Sequence, residues 1–490
     1  VTPLPLALLV LAIGPSAPTE AVDVPVDVRS PWTDLAVRTE VEALRAARLP
    51  WPDRRGVREA VARFYAARDW TPAWLDAGRP TGAALGVAAV LAGADSRGLD
   101  PEAYGAPALA DALAGLATGV ALLDDGRAAA LDVGLTVAAL RYAGDVRGGR
   151  VDPRLLGHEL PPDADPPDLA ALAAELAASP DPAARLAREE PRWPQYQALV
   201  AALPGAPEAA RRRAALALER WRWLPPGAAG PVVVVNLPEF RLWAMEPSPG
   251  GPRVALDMPV VIGRVDDDRN HTPLLAHQIV NVVFSPYWEV PKRIAERDLV
   301  KKFRADPGFA GRLGYVLDGP DGRRAVDAAG LARWRAGALR LRQLPGPSNA
   351  LGRVMFLFPN EDDVYLHDTS DRALLARTSR TFSSGCIRVG DAASLAAWAL
   401  RGTPGWDAAR MVAAMRRGEP LWVAPRTPPQ VLTTYATATV GPDGALRLLD
   451  DPYGEDPRLE RALRTATDRL TAAHQERGRP VSMWTKSSSG

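Results

Sequence analysis

VVVVNLPEFRLWAME (residues 232–246) is where the chain changes its period. Val232–Asn236 is an unbroken β-branched run, Pro238 and Glu239 supply turn chemistry, and a second apolar run follows from Phe240 to Met245. That pattern predicts a hairpin opening a β-rich domain. Upstream the signal is helical. Residues 208–223 form a strongly charged helix, and helices are expected over 33–48, 81–94, 107–116, 128–146 and 169–189. Pro/Gly/Asp turns such as residues 98–101 and 161–167 separate them. FYAARDWTPAWLDAG (residues 64–78) reads as a packed helix pair broken at Pro72, with Phe64, Tyr65, Trp70 and Trp74 as core. His158, in a polar loop, reads as a surface histidine.

Downstream, strands are expected at 258–262, 278–284, 354–357, 364–367, 421–423, 431–439 and 445–448. Residues 287–344 form a long insertion of helical character, and insertions of that length commonly act as lids. The fold class is therefore α+β, an all-helical half followed by a β-rich half with a helical lid. The expected division is an export signal over 1–21, a helical domain over 22–228, a catalytic domain over 229–456 and a C-terminal helix and tail over 457–490.

The chain has 490 residues and a net charge of +1, with 24% charged and 47% hydrophobic residues. Such balance gives no basic footprint for nucleic acid and no polybasic membrane patch. Residues 3–13 (PLPLALLVLAI) suit the core of a secretory signal and are too short for a membrane span of about 20 residues. No later stretch reaches spanning length without charges. With one cysteine no internal disulfide can form, so the fold stands on its core.

That cysteine, Cys386, lies in VYLHDTSDRALLARTSRTFSSGCIRV (residues 364–389) with His367 upstream. A lone thiol with a histidine is a candidate nucleophile and base. Taken bare, the pair is a weak signal, and a buried inert cysteine is the better reading. Two strand ends meeting at one rim would bring imidazole and sulfur together. Gly385, lacking Cβ, would admit a substrate carbonyl, and the N–H groups of this turn would form an oxyanion hole. No cofactor is indicated. No phosphate or dinucleotide loop stands on a strand–helix junction, and His271 with His277 makes a poor metal site.

The whole segment resembles the signature of the L,D-transpeptidases (YkuD-like domain), in which a histidine precedes an S-x-G-C-x-R block. His367, Ser383, Gly385, Cys386 and Arg388 fall in register. The likeness to the large periplasmic members extends to residues 232–246, the HTP turn (271–273), FSPYWEVP (284–291), residues 340–360 and DDPYGED (450–456). It also covers residues 64–78 and RGLDPEAY (97–104) in the helical half. Two departures stand out. The peptidoglycan-binding module that often follows a segment like YQALVAAL (196–203) is missing, and Met355 stands where lysine is commoner.

The resemblance implies attack by Cys386 on a peptidoglycan tetrapeptide donor, release of D-alanine, and capture of the thioester by the diaminopimelate amine of an acceptor stem. The product is a 3→3 cross-link. His367 would be base and then acid, oriented by the Asp368 carbonyl. Gly385 and Ser384 would belong to the oxyanion turn. Tyr365, Arg388, Tyr287 and Trp288 would contact substrate, Arg388 alternatively clamping the turn and the two aromatics alternatively forming lid core. Carbapenem-type inhibitors would acylate Cys386, and the protein would work in the periplasm. Hydrolysis of the same acyl-enzyme, transfer to a protein lysine and a non-catalytic wall scaffold are the rivals.

Overall fold

The computed structural model describes residues 31–475 except 48, 50, 121–122 and 162–165. The export signal expected over 1–21, and the tail after 475, lie outside the described residues.

The helical half is assembled around Asp125–Gly148, a 24-residue helix. The Asp124 carboxylate caps its start by accepting the Arg127 N–H (2.8 Å). Small residues on this helix (Ala129, Ala130, Gly134, Ala138, Ala139, Ala143) let Pro31–Ala46, Val57–Ala66 and Gly82–Ala92 approach closely, and it is buried on nearly every side. One polar group is sealed in the middle. Asp132 is fully buried and accepts hydrogen bonds from Tyr65 Oη (2.7 Å) and the N–H groups of Ala73 (2.8 Å), Trp74 (2.7 Å) and Leu75 (3.1 Å). Thr136 takes the Trp74 indole N–H at 2.8 Å.

This network explains a departure from the expected helix pair. Val57–Ala66 is a helix, but Asp69 and Trp70 have φ of 53° and 64°. The chain then enters a two-residue hairpin, Leu75–Asp76 against Arg79–Pro80. Pro72 lacks an N–H, and Asp132 satisfies the N–H groups after it, so the backbone is fixed without a second helix.

Glu208–Arg222 joins the halves. Charged as it is, its last turn is buried. Glu219 accepts the N–H groups of Arg150 (2.6 Å) and Val151 (2.8 Å) in the helical half. Arg220 reaches the other way to Asp456, which also holds Arg213 (3.0 Å) and the Thr437 hydroxyl (2.9 Å). His158 belongs to this joint and is not a free surface group. Its imidazole lies 3.5 Å from the Glu455 carboxylate and 5.9 Å from the Trp223 ring. Pro194–Ala202 is followed closely by this helix, so no separate module intervenes there.

The second half is built on one eleven-stranded sheet. Its strands are β1 (Val232–Asn236), β2 (Arg241–Glu246), β3 (Arg253–Gly263), β4 (Ala276–Gln278), β5 (Asn281–Phe284), β6 (Val354–Leu357), β7 (Leu366–His367), β8 (Thr381–Ser383), β9 (Ile387–Val389), β10 (Leu421–Val423) and β11 (Gln430–Thr434). In space they run β10-β5-β6-β7-β9-β3-β2-β1-β11-β4, with β8 beside β3. β4 and β5 are adjacent in sequence yet lie towards opposite ends of that order. Ile279 donates to Pro429 O (2.9 Å) and Val280 to Leu357 O (2.9 Å), so two residues bridge the ends and the sheet must curl. The curl encloses one core of Val235, Leu242, Val260, Ile262, Phe284, Phe356, Leu366 and Ile387.

The insertion is not purely helical. Val300–Ala305 and Ala328–Arg335 accompany a four-stranded sheet of Trp288–Glu289, Tyr315–Gly319, Gly322–Arg324 and Arg340–Gln343. It has its own core, including Phe303, Tyr315, Leu317, Trp334 and Leu341. Its strands are short, two to five residues, and the last of them interleaves Arg340 and Arg342 with Leu341 and Gln343, which conceals them in the sequence. Among the described residues no helix is long and apolar enough to cross a membrane.

Asp132→Ala should strand the donors it now satisfies and lower the stability of the helical half by about 3 kcal/mol or more, read as an earlier urea unfolding transition.

Candidate active site

β7 and β9 pair in parallel, Leu366 opposite Ile387 and His367 opposite Arg388. The Ile387 N–H donates to Tyr365 O at 3.0 Å, continuing the ladder one step back. Side chains alternate along each strand, so Leu366, Ile387 and Val389 enter the core. Tyr365, His367, Cys386 and Arg388 therefore stand together on the other face. On the far side of β7, Met355 is opposite His367 and shares its face. Met355 packs with Val283 and Leu351 against Tyr365 and Trp288, an apolar wall beside the imidazole.

His367 is 4% exposed. Its Nδ1 lies 2.5 Å from Asp368 O. A carbonyl can only accept, so Nδ1 carries the proton and Nε2 of the neutral ring is left as the basic nitrogen. Burial, with a smaller contribution from Arg388, lowers the His367 pKa to about 3. The Asp368 side chain is occupied elsewhere. It accepts the Arg353 N–H at 2.9 Å, and a Cβ on Gly352 (φ 60°) would sit 2.5 Å from it.

The Cys386 thiol lies against the Tyr365 side chain and points to Asp363 O at 3.8 Å. Burial pushes it up to about 11, against the opposing pull of Tyr365 and Arg388. Thiol and imidazole are thus both neutral near pH 7, since desolvation penalises each charged form.

The turn before the sulfur is held from three sides. Gly385 has φ +121°, which disfavours any residue with a Cβ. The Ser383 hydroxyl donates to Cys386 O (2.5 Å) and accepts the Gly385 N–H (3.2 Å). The Gly385 N–H, expected in the oxyanion turn, is thus engaged by Ser383. Thr272 Oγ1 donates to Gly385 O (2.7 Å) and accepts the Gly263 N–H (2.9 Å). Tyr453 stacks on His271 at 4.0 Å and donates to Gly263 O at 2.8 Å. Ser384 Oγ accepts from Arg297 of the insertion at 2.8 Å.

Of the two insertion aromatics, Trp288 links the insertion's core to the Tyr365 cluster. Tyr287 lies instead between the Arg323 and Arg342 guanidiniums, at 5.7 and 5.9 Å. The other histidine, His277, stacks on Phe358 at 6.2 Å.

Residues 59–203 match a scaffold domain family, and residues 230–406 match the L,D-transpeptidase catalytic domain (YkuD). The chain carries an L,D-transpeptidase catalytic domain. A Haemophilus influenzae protein named "Putative L,D-transpeptidase" is 30% identical over 255 residues, covering 51% of this chain and 49% of its own length. The chain thus spans about half the length of the curated relative it matches. Thr272, Tyr453 and Arg297 buttress the Cys386 turn, and the sequence did not single them out. The HTP turn and DDPYGED were visible only as likenesses, and nothing marked Arg297 among many arginines.

The depressed His367 pKa has a definite sign. The unfolded value, about 6.5, lies above the folded one, so the stabilising contribution is complete above pH about 6.5 and is lost as pH falls toward 3. His367→Asn should flatten that part of the stability–pH curve, measured by denaturant unfolding at each pH. Alkylation of Cys386 by iodoacetamide should be slow at pH 7 and keep rising beyond pH 9, without the neutral-pH plateau of a preformed thiolate.

Proposed function

We propose that the protein is a peptidoglycan L,D-transpeptidase that forms 3→3 cross-links through a thioester on Cys386. The observation that carries this reading is the shared face of Tyr365, His367, Cys386 and Arg388, with imidazole Nε2 left basic. Sγ attacks the carbonyl between the third stem residue and the terminal D-alanine, and the thiol proton passes to His367 Nε2. The carbonyl oxygen becomes an oxyanion met by turn N–H groups, the Cys386 N–H first among them. Collapse breaks the amide bond, and His367 returns its proton to the departing D-alanine amine. The side-chain amine of a diaminopimelate on a second stem then attacks the thioester and loses its proton to His367. An amide forms and the thiol is restored.

The neutral resting pair suits this sequence of steps. The half-buried thiol stays unreactive until substrate displaces water and proton transfer to Nε2 accompanies attack. The acceptor is expected to be a diaminopimelate stem, the site of action the periplasm after export, and carbapenems are expected to acylate the same sulfur. The likeness of residues 230–406 to the catalytic family supports the cell-wall substrate class.

Incubation with disaccharide-tetrapeptides followed by mass spectrometry of the products tests the reading. Dimers lacking one D-alanine are expected, and Cys386→Ala should abolish them. Tripeptide alone would instead mean hydrolysis. No consumption, together with no carbapenem adduct, would leave a non-catalytic scaffold. His367→Ala should lower turnover by about a hundredfold or more.

A further inference from the structure

Two guanidiniums near the cysteine turn hold buried N–H donors that no acceptor among the described residues takes. Arg388 shares the Cys386 face and is half-buried, with its Nε buried and lacking a hydrogen-bond acceptor among the described residues. Asp371 acts on it only through space. Arg264 follows β3 directly, and its N–H donates to Ser383 O (3.0 Å), which ties it to the cysteine turn. Its Nε and Nη2 are likewise buried without an acceptor. The nearest carboxylates, Asp266 and Asp298, stand 3.7 and 4.0 Å away, too far for hydrogen bonds. Asp298 is already held by Arg297 at 2.7 and 2.8 Å. The two charges also repel, Arg264 disfavouring the charged form of Arg388. Arg264 has long ion pairs with both carboxylates and Arg388 is half-buried, but the N–H donors left without an acceptor are themselves buried, and such donors are costly until an acceptor arrives.

We propose that Arg264 and Arg388 form a notch for a substrate carboxylate beside Cys386. A planar guanidinium takes a carboxylate through two parallel N–H···O bonds, which suits donors left open in this way. The ligand class is an acyl donor whose third residue ends in an amino-acid carboxylate, as diaminopimelate does and lysine does not. Arg264 then becomes a specificity-determining residue. The assignment of the donor rests on the transpeptidase reading, while the notch itself does not.

The single cysteine makes a direct probe possible. Purified full-length protein is alkylated with iodoacetate and, separately, with iodoacetamide, and the rates are followed by intact mass. Arg264→Gln should slow iodoacetate about tenfold while changing iodoacetamide less than about twofold, and Arg264→Lys should recover most of the loss. An unchanged ratio of the two rates in Arg264→Gln, with unaltered thermal melting, would overturn the notch. With tetrapeptide donors, the wild type should prefer diaminopimelate over lysine at the third position. Arg264→Gln should erase that preference through a KM about tenfold higher at unchanged kcat. A shifted alkylation ratio with neither donor consumed would keep the notch and remove the transpeptidase reading. Equal turnover of both donors by both proteins, with an unchanged ratio, would do the reverse.

Discussion

The parallel pairing of Leu366 with Ile387 and of His367 with Arg388 is the constraint on which the site depends. A slip of one residue would turn the imidazole and the sulfur into the core and bring Leu366 and Ile387 out. The apolar partners hold the register, since Leu366, Ile387 and Val389 are all fully buried. Backbone positions that tolerate no Cβ reinforce it. At Gly263 a Cβ would fall 1.8 Å from Asn270 O, and at Gly390 2.9 Å from Pro259 O. The polar clamps from Thr272, Ser383 and Tyr453 then fix the turn that carries the nucleophile.

Burial does more here than hold the fold. Desolvation opposes the charged form of both Cys386 and His367, and in the proposed mechanism substrate binding drives thiolate formation. The insertion contributes from its own packed core, reaching back through Trp288 to the Tyr365 cluster and through Arg297 to Ser384. A segment of π-helix, Ala295–Leu299, presents Arg297 to that turn, a local irregularity of a kind frequent at functional sites. The helical half has a core of its own, running from Val37 to Leu186. It meets the catalytic half through the Glu208–Arg222 helix, with Glu219 and Arg220 facing opposite ways. A buried pair such as Arg220 and Asp456 adds little net stability over apolar residues, but its hydrogen bonds set one orientation of the halves.

Much of this was legible in the chain. Val232–Asn236, Val354–Leu357 and Leu421–Val423 are strands as their apolar runs require. Residues 278–284 read as one strand but are parts of two, because Ile279 and Val280 cross between the sheet's ends, a matter of closure and not of local propensity. Likewise the expected strand over 431–439 divides into Gln430–Thr434 and Ala438–Val440. The helix pair at residues 64–78 failed because a distant carboxylate, Asp132, outbids helical hydrogen bonding. Periodicity cannot report a partner about sixty positions away. Cys386 and His367 were legible through their surrounding motif alone. Arg264 was not, since one arginine in an arginine-rich chain has no signature until its unpaired donors are seen in three dimensions.

The proposed mechanism requires Cys386 to carry an acyl group taken from a stem peptide. Intact-protein mass spectrometry, on samples quenched in acid within the first turnovers with disaccharide-tetrapeptide, reads this directly. The predicted result is a mass increase equal to the donor less D-alanine, localised by proteolysis to the peptide containing Cys386 and removed by hydroxylamine. Unmodified protein throughout, while D-alanine is being released, would contradict it.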